Sequence, residues 1–484
     1  MRVLLERNDV DPNIADENGR TPLSLAAEYE YEGVVRILLE RNDVNPNAVD
    51  YDGLTPLSLA ARNGYEGAVG ILLGRSDVDP NAVDYDGLTP LPLAARNGHE
   101  GVVRVLLGRN DVDPNTVDQD GRTPLSLAIR RGNEEVVRML LERNDINLDI
   151  ADEDGRTPLS RAAESRHEGI VRVLLERNDV DPNIADEDGR TPLSLAIRRG
   201  NEEVVRMLLE RNDINPNAVD HDGLTPLSLA ARDGHEGVVG ILLGRNDVDP
   251  NAVDYDGQTP LSLAADFGQE GVVGILLGRN DVNPNAADEY GQTPLSSAAW
   301  CGNEGVVRIL LGRNDVNPER ADKYGRTPLS LAALRGREGV VRILLGRNDV
   351  NPNTADGLGQ TPLSRAVQNG EEEVVRILLE RNDVNPNTFD QDGRTPLSLA
   401  IGSGNEEVVR MLLQRSDVNL DIDDQDGQTV ASWAAQNGSD RIAKLLRDRA
   451  DFTPEYAASP HPVDSYPPEL SQSSETPSKR IRRF

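Results

Sequence analysis

The chain has 484 residues, with 83 acidic against 51 basic side chains, for a formal charge of −32. A field of that sign disfavours nucleic-acid phosphates and anionic lipid, and favours basic protein partners or plain solubility. Aromatic residues are 3% of the chain and hydrophobic ones 37%, too few for large layered cores. No apolar run approaches the ~20 residues of a membrane span, and Met1–Arg7 lacks the apolar stretch of a signal peptide. Cys301 is the one cysteine, which excludes an intramolecular disulfide and fits a reducing, cytoplasmic setting.

In chain order, residues 1–15 read as the second half of a repeat. From there Asp16, Asp50, Asp84 and their successors at every 34th residue to Asp424 open thirteen units, twelve complete over 16–423 and the last, 424–451, cut short. A fixed period in this range means one supersecondary element per unit, buried only against its neighbours. In residues 50–83, Asp50 to Gly53 has turn chemistry. Thr55 suits an N-cap and Pro56 the first helical position. Leu57, Ala60 and Ala61 then give a short helix with one apolar stripe, closed by Asn63-Gly64 in a left-handed cap. A second helix runs from Glu66 to about Gly74 with Val69, Leu72 and Leu73 on one face. It stops at Arg-Ser or Arg-Asn-Asp, where asparagine is expected in the left-handed conformation. An extended Asp-Val-Asn-Pro-Asn loop returns to the next turn.

The stretch Thr-Pro-Leu-Ser-Leu-Ala-Ala resembles the ankyrin repeat's Thr-Pro-Leu-His-Leu-Ala-Ala, and Val-Val-Arg-Ile-Leu-Leu resembles its second helix. The resemblance spans about residues 1–451 and implies an all-α fold, an ankyrin-repeat solenoid of helix-turn-helix-loop units with short β-hairpin-like turns. Two departures stand out. Serine (Pro92 in one unit) takes the place of the usual histidine, which removes a hydrogen bond that braces each unit. The period is 34 where the family's is 33, with the extra residue in the Asn-Pro-Asn loop. This variant is similar to fungal ankyrin arrays that form the C-terminal sensor of larger signalling ATPases.

At the ends, Val3, Leu4 and Leu5 lack a preceding neighbour, which suggests a fragment of a longer protein. Residues 424–451 read as a capping repeat, with Val430 for the helix-opening proline and Trp433 at a leucine position. Residues 452–484, rich in Pro, Ser and Glu, read as a disordered tail. The Lys479–Arg483 cluster resembles a nuclear-import signal. Asn437-Gly-Ser is a chance glycosylation match. Residues 122–146 and 190–214 are identical, a sign of recent duplication. Arg161, Ser297 and Arg365, at a leucine position of the first helix, mark expected soft spots.

No catalytic, cofactor-binding or metal-binding set is expected. Asp111-Val-Asp113-Pro-Asn115 opens like a calcium loop but has Thr116 and Arg122 where glycine and glutamate belong. The histidines His99, His167, His221, His235 and His461 stand alone. No phosphate loop or nucleophile elbow occurs, and Cys301 has no histidine nearby in sequence. What remains is recognition of a protein partner by a monomeric scaffold. The resemblance assigns contact to a concave face built from the second, third and fifth residues of each unit and the two after Ala-Ala. There the units from 254 to 335 offer Tyr255, Phe267, Tyr290, Trp300, Lys323, Tyr324 and Leu334, and aromatic anchors in a polar surface are the usual carriers of binding energy. Tyr51, Leu54, Tyr85 and Leu88 form a second patch. Two other readings are the sensor arm of a larger NTPase or enzyme, and a ubiquitin-ligase substrate adaptor. The latter rests on three lysines, Lys323, Lys444 and Lys479, against 48 arginines.

Overall fold

The computed structural model describes residues 11–421, 425, 427–436 and 440–449. Met1 to Val10 of the leading half-repeat, Asn437, and the tail 452–484 with Lys479–Arg483 lie outside the described residues. The described residues form 26 helices and no strand. Contacts divide the chain into two compact units, Met1–Asp356 and Gly357–Phe484.

In the first unit each repeat from residue 16 on is a turn, two short helices and a return loop. Asp50 shapes its turn as expected: its Oδ1 accepts the N–H groups of Asp52 at 3.0 Å and Leu54 at 2.8 Å. Gly53, at φ +80°, takes the left-handed step. The turns are linked by single backbone bonds, Tyr51 N–H to the Asn18 carbonyl and Tyr85 N–H to that of Asp52, so the hairpin-like tips stack without forming a sheet. Thr55 caps the helix Pro56–Asn63, accepting the Ser58 N–H at 3.1 Å. The serine hydroxyl lies 3.0 Å from the Thr55 hydroxyl. The residue that replaces histidine therefore keeps a buried hydrogen bond inside its own repeat. With Pro92 at that position, Thr89 has no such bond and its hydroxyl turns to Thr116 at 3.3 Å.

First helices pack on first helices and second helices on second helices. Leu57, Ala60, Ala61, Val69 and Leu72 are fully enclosed, and Ile129 fills the position of Ala61 in its own repeat with no exposure. Burying each leucine or valine is worth about 1.5–3 kcal/mol, repeated at every interface.

The second helices end differently from the expectation. Gly74, which follows Glu66–Leu73, is right-handed at φ −67°, and the non-glycine residues with positive φ are Glu30 and Arg166, not the asparagines. The Arg-x-Asp segment closes the helix through its side chains. Arg75 holds Asp77 through Nε at 2.8 Å and Nη2 at 2.6 Å, and Nη1 reaches the carbonyls of Leu39 and Arg41 in the preceding repeat. The return loop has a comparable role: Asn47 donates to the Asp77 carbonyl at 2.7 Å and accepts the Asp79 N–H at 2.9 Å.

Arg161, expected to mark a soft spot, is held by two carboxylates. It bonds Asp152 at 2.6 Å and Asp154 at 2.6 Å, so the charge at the leucine position is neutralised where it is partly enclosed. Ser297 is buried at its leucine position.

In the second unit the first helices Pro362–Asn369, Pro396–Ser403 and Val430–Gln436 alternate with Glu372–Leu379, Glu406–Leu413 and Asp440–Arg447. The helix without proline still receives its cap, as Thr429 accepts the Ser432 N–H at 3.1 Å. Asp440–Arg447 buries Ile442 and Leu446 and exposes its polar side.

Candidate functional site

The turn tips and first-helix ends bring residues from successive repeats into register. Of the residues expected between 254 and 335, Tyr255, Phe267, Tyr290, Tyr324 and Lys323 are exposed, the first two at 67% and 52%. Trp300 and Leu334 are half-buried. Backbone bonding sets Tyr290 beside Lys323, whose N–H reaches the Tyr290 carbonyl at 2.9 Å. Phe267 and Trp300 end adjacent first helices, and these ends are tied by the Cys301 thiol donating to Asp266 at 3.1 Å.

One face of Trp300 is already occupied. The Arg335 guanidinium sits 3.8 Å from its ring centroid, and Arg337 Nε bonds the Trp300 carbonyl at 3.1 Å. Arg326 lies over Tyr324 at 4.6 Å. Both are cation–π contacts. Trp300 thus offers an edge and a bound cation, while Tyr255 and Phe267 offer more of their rings.

The second patch needs correction. Leu54 and Leu88 are only 3% and 2% exposed and pack with Leu59, Leu93 and Leu127. The fifth residue of a repeat lies just before the capping threonine, so an aliphatic chain there folds beneath the turns. Arginine at the equivalent position is partly buried and pairs with the turn aspartate, as Arg122 does with Asp118 at 2.8 Å. Tyr51 and Tyr85 remain exposed, each against the turn glycine of the preceding repeat. A Cβ on Gly19 would lie 2.8 Å from Tyr51 Cδ1 at φ +79°, so both space and backbone require glycine there.

The carboxylates are engaged in structure. Asp111 bonds Arg109, Asp113 accepts the Asn115 N–H, and Asn115 donates to the Asp145 carbonyl. These groups fold the loop that resembles a calcium site in sequence. Among the described residues no three His, Cys, Asp or Glu side chains converge for a metal ion. The Arg75 guanidinium holds the Asp77 carboxyl below the usual range. Cys301 is pushed up to about 12, first by burial and then by the Asp266 charge, so the thiolate that nucleophilic chemistry requires is scarce at neutral pH. No helix among the described residues is long and apolar enough to cross a membrane.

Two features escape a reading of single repeats. One is the Arg-x-Asp clamp, signalled by constant spacing even where Ser76 replaces asparagine. The other is a row of arginines at first-helix ends, including Arg62, Arg96, Arg130 and Arg131, which take part in none of the ion pairs among the described residues. The arginine richness was visible; which arginines were left without a partner was not.

A family model described as ankyrin repeats (3 copies) matches residues 1–84, 42–118, 91–186, 177–254, 241–322, 314–390 and 382–455. No curated protein matches the chain. Among solved structures, the ankyrin repeat domain of Bcl-3, titled a unique member of the IkappaB protein family, aligns at 28% identity with a TM-score of 0.41, covering 43% of this chain and 93% of that one. Since the family model runs over nearly the whole sequence, the chain belongs to the ankyrin repeat family.

Proposed function

We propose that the chain is a non-catalytic scaffold that holds a protein partner on its turn tips and first-helix ends, with its main contact between residues 254 and 335. Ankyrin repeats are a protein–protein interaction module, and that much comes with family membership. The observation that carries the finer reading is the exposure of Tyr255, Phe267, Tyr290 and Tyr324 in three consecutive repeats. Rings held on short helices and hydrogen-bonded turns lose little entropy on binding, and such residues dominate interface energies.

The test is affinity purification with the full chain, followed by titration of the recovered partner. Phe267→Ala with Trp300→Ala is expected to weaken binding at least about tenfold, as loss of an anchor pair does. Unchanged affinity would move the contact away from this patch.

A further inference from the structure

We infer that the first-helix ends of residues 50–151 hold an extended acidic peptide in polyproline II conformation, with a carboxylate at every third residue. The inference rests on the reading of the array as a protein-binding surface but places a second contact apart from the aromatic one. It starts from how the net charge is distributed. Second helices carry much of the acid, and some of these carboxylates have a structural place: Glu66 lies over the start of the next second helix, where a Cβ on Gly101 would come within 2.1 Å of its Oε2. A carboxylate is favourable at a helix N-terminus. Glu134 also bonds Arg138 in its own helix. The loop arginines Arg75, Arg109 and Arg143 are likewise each held by an aspartate two residues on.

The first helices Pro56–Asn63, Pro90–Asn97 and Pro124–Arg131 are opposite in sign. They contain Arg62, Arg96, Arg130 and Arg131 and no acid. Complementing a helix dipole explains one basic group in a last turn. It does not explain a doubled pair at Arg130-Arg131, nor a row with no carboxylate bonded to it. Of the neighbouring turn carboxylates, Asp84 accepts the N–H groups of its own turn and Asp154 bonds Arg161, while Asp52 and Asp86 stay exposed at the turns and form no ion pair with these arginines.

Register is fixed by bonds between repeats. Asn97 and His99 both contact the Arg62 carbonyl at 2.9 Å, and Asn133 reaches that of Arg96 at 3.2 Å. The arginines therefore recur once per repeat, about 10 Å apart as packed helices are. A polyproline II chain returns to the same face every third residue after about 9 Å, which matches that step, whereas a β-strand presents its third residue to the opposite face. The same repeats expose Tyr51 and Tyr85, and exposed aromatics are what proline-rich segments dock against. At this place the local charge, opposite to the net charge, selects the ligand. The −32 of the whole chain still works against a uniformly anionic polymer such as nucleic acid.

The test is fluorescence anisotropy of the full chain with a fluorescein-labelled peptide of repeated Glu-Pro-Pro. Salt-sensitive binding is expected, with at least about tenfold loss on combining Arg62→Gln, Arg96→Gln, Arg130→Gln and Arg131→Gln. The same four positions changed to lysine should retain binding within a few-fold, which excludes unfolding as the cause. A peptide of equal composition with its glutamates in one block should bind more weakly. No binding by the unaltered chain, indifference to the glutamine set, equal affinity for the blocked peptide, or equal affinity for single-stranded DNA would each overturn the inference. If the peptide fails while a purified partner still binds and is lost on changing Phe267 and Trp300, only this inference falls and the scaffold reading stands.

Discussion

Residues 122–146 and 190–214 have identical sequences, yet they differ in structure where they meet the preceding repeat. In the first copy Asn133 donates to the carbonyls of Ala95 and Arg96. In the second, Asn201 turns back to accept the Val204 N–H at 3.3 Å, and its buried Nδ2 has no acceptor. The preceding helix end is the cause. Asn133 lies against Gly98, where a Cβ would come within 3.0 Å of its Oδ1. Before Asn201 the corresponding residue is Arg166, left-handed at φ +60° and carrying a side chain where Gly98 has none. Arg166 Nη2 instead bonds the Arg199 carbonyl, and Arg199 pairs with Glu164 at 3.0 Å. The second copy's first helix ends one residue earlier, at Arg198 in place of the equivalent of Arg131. A repeat's own sequence thus sets the threonine N-cap and the left-handed glycine of its first helix, while its neighbour determines where that helix ends and what its asparagine and other surface polar groups bond.

The largest expected effects test the first half of that division. Gly132 and Gly200 lie at φ +72° and +65°, and a Cβ at either would approach a histidine ring, His167 Cε1 at 2.9 Å or His235 Cε1 at 2.8 Å. Gly132→Ala and Gly200→Ala should each cost about 1–2 kcal/mol, the penalty of a left-handed L-residue, measured by urea unfolding. Equal losses mean that the cap belongs to the repeat. A cost at Gly132 with none at Gly200 would show that even the caps depend on the neighbour.

Asn133→Ala and Asn201→Ala test the second half. The first removes two hydrogen bonds between repeats and should cost about 1 kcal/mol. The second gives up a weak cap but also removes a buried donor without an acceptor, so its cost should stay below about 0.5 kcal/mol. Equal costs would mean that the two environments are energetically alike despite their geometry.

The same division explains what could be read from the sequence. Asp50, Gly53, Thr55, Pro56 and Gly64 act within their own repeat, and each takes the role its chemistry predicts. So do the enclosed leucines and alanines, because periodicity alone orients them. Leu54 and Leu88 were misread because burial of the fifth residue depends on Leu59, Leu93 and Leu127 in this and adjoining repeats. Trp300 was legible as an aromatic at a surface position, but its cover by Arg335 comes from the next repeat. The roles of Arg75 and Asn47 were hidden for the same reason, since their acceptors lie about one period away in sequence.

Arg166→Gly would convert the odd neighbour into an ordinary one. It relieves a left-handed arginine, offset by the entropy glycine loses on folding, for a net gain of about 0.5–1 kcal/mol. It should also let Asn201 swing onto the preceding carbonyls. The sign that this has happened is a larger cost of Asn201→Ala in the Arg166→Gly background than in the unaltered chain. Additive effects of the two substitutions would sink the explanation of the Asn133–Asn201 difference.

The smallest effect lies just past the two copies, where their sequences part. Asn217 follows the second copy and donates to the Asp247 carbonyl at 2.6 Å. The equivalent residue after the first copy is Asp149, which accepts the Asp181 N–H at 3.3 Å but, when ionised, has no proton for a carbonyl. Burial, then the Asp181 and Asp179 charges, hold its carboxyl above the ordinary value, although the Asp181 N–H pulls the other way. The folded chain therefore keeps this proton more tightly than the unfolded chain does. Ionised Asp149 costs stability at pH above its folded value, and the cost disappears as pH falls below the unfolded value. Asp149→Asn should restore the missing donor and stabilise the chain by about 0.5 kcal/mol at neutral pH. That advantage should shrink as pH falls through the carboxylate range, read as converging urea midpoints of the two proteins. An advantage that is constant with pH would show that hydrogen-bond geometry alone, not ionisation, separates Asp149 from Asn217.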